Sequence, residues 1–229
     1  MPVFLLDEEL IFPHPELREP DGLLAVEGDL SPNRLLLAYR WGIFPWFHDG
    51  QPILWWWLCP RLMLRPSEVH LSHSVRNFIN RKVYRVTFDQ DFGAVMEKCA
   101  STQRPGQSGT WIMPEMIHAY TQLHQLGYAH SVEVWHDDTL VGGLYGIAVG
   151  RIFVGESMFA LQPNASKIGF VNLARFLESQ GYHWIDCQQD TPHMRTLGAY
   201  TINEALYLDI LRNNLRERDQ PGSWAKEVS

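Results

Sequence analysis

The sequence predicts an α/β (α+β) fold: a small N-terminal domain over residues 1–62, then a larger domain over 63–229 with a mixed sheet flanked by helices. Three observations carry this. After residue 62 helical and extended patterns alternate, and three strand-like runs follow one another directly between helices. The first sixty residues read differently. They are rich in Pro and Gly, and Trp41, Trp46, Trp55, Trp56 and Trp57 crowd into one short stretch. Finally, 229 residues at 45% hydrophobic content can bury a sizeable core.

The elements follow in order. Ser31 is an N-cap, Pro32 suits the first helical position, and Gly42 closes a helix carrying Leu35, Leu36, Leu37 and Tyr39. The rest of the N-terminal part reads as turns and short extended pieces. Val75, Phe78 and Ile79 predict a helix over 72–81, and Tyr84 to Phe88 a strand. Helices are expected over 91–100 and 114–126, the second stopped by Gly127. Strands over 130–136, 140–148 and 151–159 are separated by Asp137-Asp138 and Gly150. A helix over 165–180 ends at Gly181, His183 to Gln188 is a strand, and a last helix runs over 203–216.

Composition excludes several classes. A net charge of −7 argues against a bulk nucleic-acid coat and leaves room for a local basic face. Cys59, Cys99 and Cys187 form no C-x-x-C pair, which argues against a disulfide scaffold and a structural zinc. Residues 1–15 carry Asp7, Glu8 and Glu9 and no basic start, unlike a signal peptide. No apolar run approaches the ~20 residues of a membrane helix. A reduced, cytoplasmic, monomeric protein with no membrane, metal or cofactor is expected. His70 and His73 have no ligand cluster, and the Asn164-Ala-Ser166 sequon goes unused in such a compartment.

Two strands carry polar residues where apolar ones are expected. Alternation puts Trp184, Asp186 and Gln188 on one face of the 183–188 strand, and Ile185 and Cys187 on the other. Cys187 is therefore read as packing in the core, not as a nucleophile. In the 151–159 strand, Ile152, Val154, Glu156 and Met158 share a face on which Glu156 interrupts an apolar run. An unpaired buried carboxylate is costly, so Glu156 either meets a core Arg or awaits a cationic substrate.

The chain resembles the bacterial leucyl/phenylalanyl-tRNA–protein transferases. The matching stretches run in order: Glu19-Pro-Asp-Gly-Leu-Leu-Ala, Gly28-Asp-Leu-Ser-Pro, Arg40-Trp-Gly-Ile-Phe-Pro-Trp46, Gly109-Thr-Trp-Ile112, His130-Ser-Val-Glu-Val-Trp135, Val141-Gly-Gly-Leu-Tyr-Gly146, Gly155-Glu-Ser-Met-Phe159, Asn164-Ala-Ser-Lys167, Ile185-Asp-Cys-Gln188 and Leu197-Gly-Ala199. Departures are Glu27 where the family usually has Gly, and Trp57-Leu58-Cys59 where it usually has Ser-Pro-Asp.

The resemblance implies a GNAT-like acyltransferase domain. It also implies transfer of Leu or Phe, with Met as a further donor, from aminoacyl-tRNA to acceptor proteins beginning with Arg or Lys, marking them for degradation through the N-degron pathway. Aminolysis of an activated ester needs positioning, a deprotonated amine and oxyanion stabilisation. The implied catalytic residues are Asp186, Gln188 and Glu156, with Asp186 acting as a base through Gln188 or holding the acceptor's cation. Asp186→Ala is expected to abolish most transfer and leave the fold intact. Leu144, Met158 and, if the strand bends, Phe153 are expected to border an apolar slot for the donor side chain; the family often has Met at the position of Leu144. Trp46, Trp111 and Tyr39 match aromatics near the 3′ adenosine, and Ser157, Ile185 and Tyr120 are further substrate-binding positions. Arg61, Arg65, Arg76, Arg81, Lys82 and Arg85 face Glu68 alone in their stretch, a concentration of cations suited to tRNA phosphates. From this set Arg76, Arg81, Lys82 and Arg85 are assigned to tRNA. Two rivals remain: a CoA-dependent N-acetyltransferase, disfavoured because Leu161-Gln-Pro-Asn-Ala-Ser is no pyrophosphate-binding turn, and a non-enzymatic RNA- or peptide-binding module.

Overall fold

In the computed structural model, residues 3–102 and 112–228 are described. The chain runs β1 (Phe4–Leu6), β2 (Leu23–Glu27), α1 (Pro32–Arg40), β3 (Phe44–Pro45), β4 (Leu54–Trp56), β5 (Arg61–Leu64), α2 (His73–Asn80), β6 (Arg85–Phe88), α3 (Phe92–Ser101) and α4 (Pro114–Gln125). It continues through β7 (Ala129–His136), β8 (Thr139–Val149), β9 (Ile152–Ala160), α5 (Ala165–Ser179), β10 (Trp184–Asp186), α6 (Pro192–Thr196), β11 (Tyr200–Ile202), α7 (Glu204–Asn214) and β12 (Lys226–Val228). The strands form a four-stranded sheet, β1-β2-β4-β3, and an eight-stranded one, β11-β5-β10-β9-β8-β7-β6-β12. β1 pairs with β2, and β9 with β10, in parallel; the other pairings are antiparallel. The expected mixed sheet flanked by helices is what the chain forms.

Side chains at helix starts explain most boundaries. Ser31 caps α1 at Arg34 N–H, Ser72 caps α2, Asp91 caps α3 and Asn203 caps α7. Gly42, after α1, has φ +72°, and a Cβ there would lie 2.3 Å from the Tyr207 hydroxyl. Only glycine permits both the turn and α7's approach.

The large sheet separates two cores. One joins α1, α3, α4, α7 and the small sheet in a single cluster that includes Leu35, Phe44, Trp55, Tyr120 and Leu211. The other packs α5 against the opposite face through Val132, Leu144, Phe153, Leu173 and Ile185. The short strands β5, β11 and β12 were not expected from pattern. They have three or four residues each and exist because a sheet neighbour offers its backbone. β5 begins at Arg61 and belongs to the large sheet. Among the described residues no helix is long and apolar enough to cross a membrane.

Candidate active site

β9 and β10 stay paired only as far as Val154 and Asp186. β9 then continues to Ala160, while β10 stays with β5 through the Cys187 N–H donated to Leu62 O at 2.9 Å. The strands part, and a cavity of about 940 Å³ is lined by residues from both sides of the gap. Openings at the carboxyl ends of parallel strands are recurrent ligand sites. Its wall is largely apolar, with Leu144, Phe153, Met158 and Ile185 from the sheet and Phe44 and Trp46 from the N-terminal part. Glu156 is the only carboxylate among its described lining residues.

A β-bulge places Glu156. Tyr145 pairs with Ser157 and Gly146 with Gly155, so Glu156 is the extra residue. This corrects the simple alternation expected for the strand. Ile152 and Val154 do pack on the face towards α4, but the bulge turns Met158 to the other face, where it pairs with Leu144 beside the second core. The bulge thus puts the carboxylate and the apolar slot into one cavity.

Glu156 Oε1 accepts from Gln188 Nε2 at 2.7 Å, and Oε2 from the Tyr120 hydroxyl at 3.2 Å. The Tyr120 hydroxyl is itself hydrogen-bonded to that of Tyr39. Burial pushes the Glu156 carboxyl up to about 7, against the lowering effect of these hydrogen bonds and the Arg61 charge. Both phenols are raised well above their ordinary range, first by burial and then by the nearby Glu156 charge, so they stay protonated donors.

Asp186 sits behind this pair, outside the cavity's described lining. Its carboxylate accepts from Arg61 Nε at 2.7 Å, the Tyr207 hydroxyl at 2.8 Å and the Gln188 backbone N–H at 2.9 Å. Arg61 and Asp186 are 0% and 1% exposed. The expectation that Asp186→Ala leaves the fold intact is therefore corrected: the variant strands a buried guanidinium. The turn Asp186 stabilises puts Gln188 at φ +57°, which ends β10 earlier than the alternating pattern predicts.

Residues 63–212 match the family described as leucyl/phenylalanyl-tRNA protein transferase, and residues 28–57 match the N-terminal domain of the same transferase. The chain belongs to the leucyl/phenylalanyl-tRNA protein transferase family. The leucyl/phenylalanyl-tRNA–protein transferase of Maridesulfovibrio salexigens is 52% identical over 98% of this chain and 94% of its own length. That of Syntrophobacter fumaroxidans is 52% identical over 99% and 97%. A solved structure, L-PGS from Bacillus licheniformis, overlaps 90% of this chain and 65% of its own at 8% identity and a TM-score of 0.42, too distant to carry an argument.

Within this transferase-family chain, Leu144, Phe153, Met158, Ser157, Ile185, Trp46, Glu156 and Gln188 line one cavity. Tyr120 reaches it through Glu156. Tyr39 is 2% exposed and cannot offer a ring face to a base; its hydroxyl meets Tyr120 and Glu156. Trp111 lies outside the described residues. Cys187 is half-buried, packed against the second core on one side and lining the cavity on the other, and burial raises its thiol far above the usual range, leaving it a poor nucleophile. Arg61 is removed from the basic surface by its pairing with Asp186, and Arg65 stacks on Trp184 at 4.2 Å. Arg76, Arg81 and Lys82 are exposed on and after α2, while Arg85 is half-buried over the Trp135 ring.

Sequence reading missed Tyr207, the Arg61–Asp186 pairing, and His193 in the cavity wall. His193 is held neutral by burial and the nearby Lys167 charge. The one signal for the pairing was the demand for a core Arg, which pattern attached to Glu156 and the fold gives to Asp186. At position 57, Trp57 is fully buried, its indole N–H donated to Trp41 O at 2.9 Å and its ring packed on Tyr207.

Proposed function

We propose that the chain transfers Leu or Phe from charged tRNA to the N-terminal Arg or Lys of acceptor proteins, in the cytoplasm, marking them for degradation. The carrying observation is the Glu156–Gln188 pair set in a largely apolar cavity, in a chain of this family. The acceptor α-amine attacks the ester carbonyl, the tetrahedral intermediate collapses, and the bond to the ribose oxygen breaks. One amine proton passes to Glu156 and then to the departing ribose oxygen. A carboxyl poised at about 7 suits an amine of pKa roughly 7.7–8.0.

Gln188 Nε2 is committed to Glu156. Its carbonyl is left to orient the amine, and Asp186 positions Gln188 through the backbone. Leu144, Phe153, Met158 and Ile185 hold the donor side chain, Trp46 stacks on the terminal adenine, Ser157 adds to the polar wall, and Tyr120 holds Glu156 from behind. Arg76, Arg81, Lys82 and Arg85 meet tRNA phosphates. Residues 1–62 form the small N-terminal domain and 63–229 a GNAT-like domain, a reading supported by the antiparallel β6–β9 run and the α5 crossover to parallel β10.

The test incubates the protein with Leu-charged tRNA and a peptide starting with Arg, then with acetyl-CoA and the same peptide. Leucylated peptide in the first reaction alone is expected. Acetylation, or no product in the first reaction, overturns the reading.

A further inference from the structure

The segment after α7 crosses back over the large sheet and is fastened at successive points. Asp219 pairs with Arg40 and accepts the Gly150 N–H at 2.8 Å. Gly222 N–H is donated to Gly127 O at 3.1 Å, and β12 extends the sheet beside β6. Between these points Trp224 lies flat on His130, with ring centroids 3.6 Å apart and an interplanar angle of 1°. Asp89 fixes both partners: its Oδ2 accepts the Trp224 N–H at 2.8 Å and bonds His130 Nδ1 at 2.9 Å. His130 is 1% exposed, so the indole rests on a rigid base.

Trp224 also touches the cavity wall from behind. Its ring lies 5.8 Å from that of Phe153 and 4.8 Å from Phe176. Phe153 lines the cavity, and the tip of its ring lies over Gly146, where a Cβ would be 2.6 Å away. Gly146 leaves the ring its place, and Trp224 covers it.

We propose that Trp224 is a positioning residue for donor choice: by filling the space behind Phe153 it sets the size of the donor slot, and so the balance between Leu and Phe. Trp224 lies beyond the residues 63–212 matched by the family. The inference rests on reading the cavity as the donor slot. With Trp224 removed, Phe153 can retreat, the slot enlarges, and the larger donor gains.

The experiment compares kcat/KM for leucyl-adenosine and phenylalanyl-adenosine with an Arg-starting peptide, in wild type, Trp224→Ala, Trp224→Leu and Leu144→Trp. A methylene-sized change in an apolar slot is worth ~10-fold or more in discrimination. Trp224→Ala is expected to raise the Phe-to-Leu ratio about tenfold and Trp224→Leu about threefold, while Leu144→Trp, which narrows the slot directly, lowers it. If Trp224→Ala does not fold, the leucine variant, which keeps apolar cover, carries the test. Equal loss with both donors means that Trp224 serves stability alone and overturns the inference while leaving the slot intact. An unchanged ratio in Leu144→Trp removes the slot reading itself, and the inference with it.

Discussion

Glu156 is where pH should act. Its carboxyl is raised to about 7 by burial, with Tyr39, Tyr120, Gln188 and Arg61 as the neighbours that oppose the rise. A proton held more tightly in the folded state than in the unfolded favours the fold at low pH, and that contribution fades as pH climbs from about 4.5 to about 7. Glu156→Gln removes the fading. Melting temperature should therefore fall less between pH 5 and pH 8 in the variant than in wild type. Activity runs the other way. Both Glu156 and the acceptor amine must lose a proton, so log(kcat/KM) should rise with a limiting slope of about 2 at low pH, and about 1 in Glu156→Gln. An unchanged slope would exclude Glu156 as the proton acceptor. Asp186 is held by three structural donors, Arg61, Tyr207 and the Gln188 backbone. Asp186→Ala leaves Arg61 buried without its counter-charge, and breaking such a pair costs about 3–5 kcal/mol. Chemical denaturation should register that loss.

At the scale of elements, the long periodic pieces were legible and the site-building irregularities were not. α1, α4 and α5, and the run β7 to β9, follow from caps, closing glycines and apolar period. The bulge at Glu156 has no such signal, since a period of two says nothing about where an extra residue sits. Without the bulge, Met158 would leave the slot. Gln188 is likewise invisible as a left-handed residue, because its backbone is held by a side chain two positions earlier. α2 and the turn after it raise a separate question. Arg76, Arg81 and Lys82 are exposed together in an acidic chain, whereas Arg85 is half-buried over Trp135. Replacing Arg76, Arg81 and Lys82 with Ala should raise the Michaelis constant for charged tRNA. It should also flatten the dependence of log affinity on log salt by about 0.7–0.9 for each phosphate left without its cation. Turnover of an aminoacyl-adenosine should stay near wild type, since cations on phosphates position the tRNA body and leave the chemistry alone. A full salt slope in the triple variant would make this surface a solvated face.

At the scale of the whole molecule, composition sees two parts where packing runs one buried cluster through both. The tryptophan-rich start and the alternating remainder look like separate domains. Yet Leu6, Leu35, Phe44 and Trp55 share one buried cluster with Val95, Tyr120, Tyr145 and Leu211. Phe44 and Trp46 form a wall of the cavity, and Tyr39 bonds Tyr120 and stands beside Glu156. Trp57 packs on Tyr207, which holds Asp186. The N-terminal part therefore completes both the core and the site, so the two parts should unfold together. Tryptophan fluorescence draws heavily on Trp41, Trp46, Trp55, Trp56 and Trp57, while far-UV circular dichroism follows the helices, α3 to α7 foremost. In urea the two signals should give coincident transitions with one midpoint, as expected when no intermediate accumulates. A fragment starting at residue 61 keeps Arg61 but uncovers the face that α1 and the small sheet bury. It should bind a hydrophobic dye, melt without a cooperative transition and transfer no amino acid. Adding residues 1–60 as a separate chain should restore part of the helical signal, because apolar residues of both parts share one buried cluster and the pairs Arg18–Glu204 and Arg40–Asp219 join them. Two separated midpoints in the intact chain, or a cooperative and active fragment, would mean that the N-terminal part is an accessory to a catalytic unit complete without it.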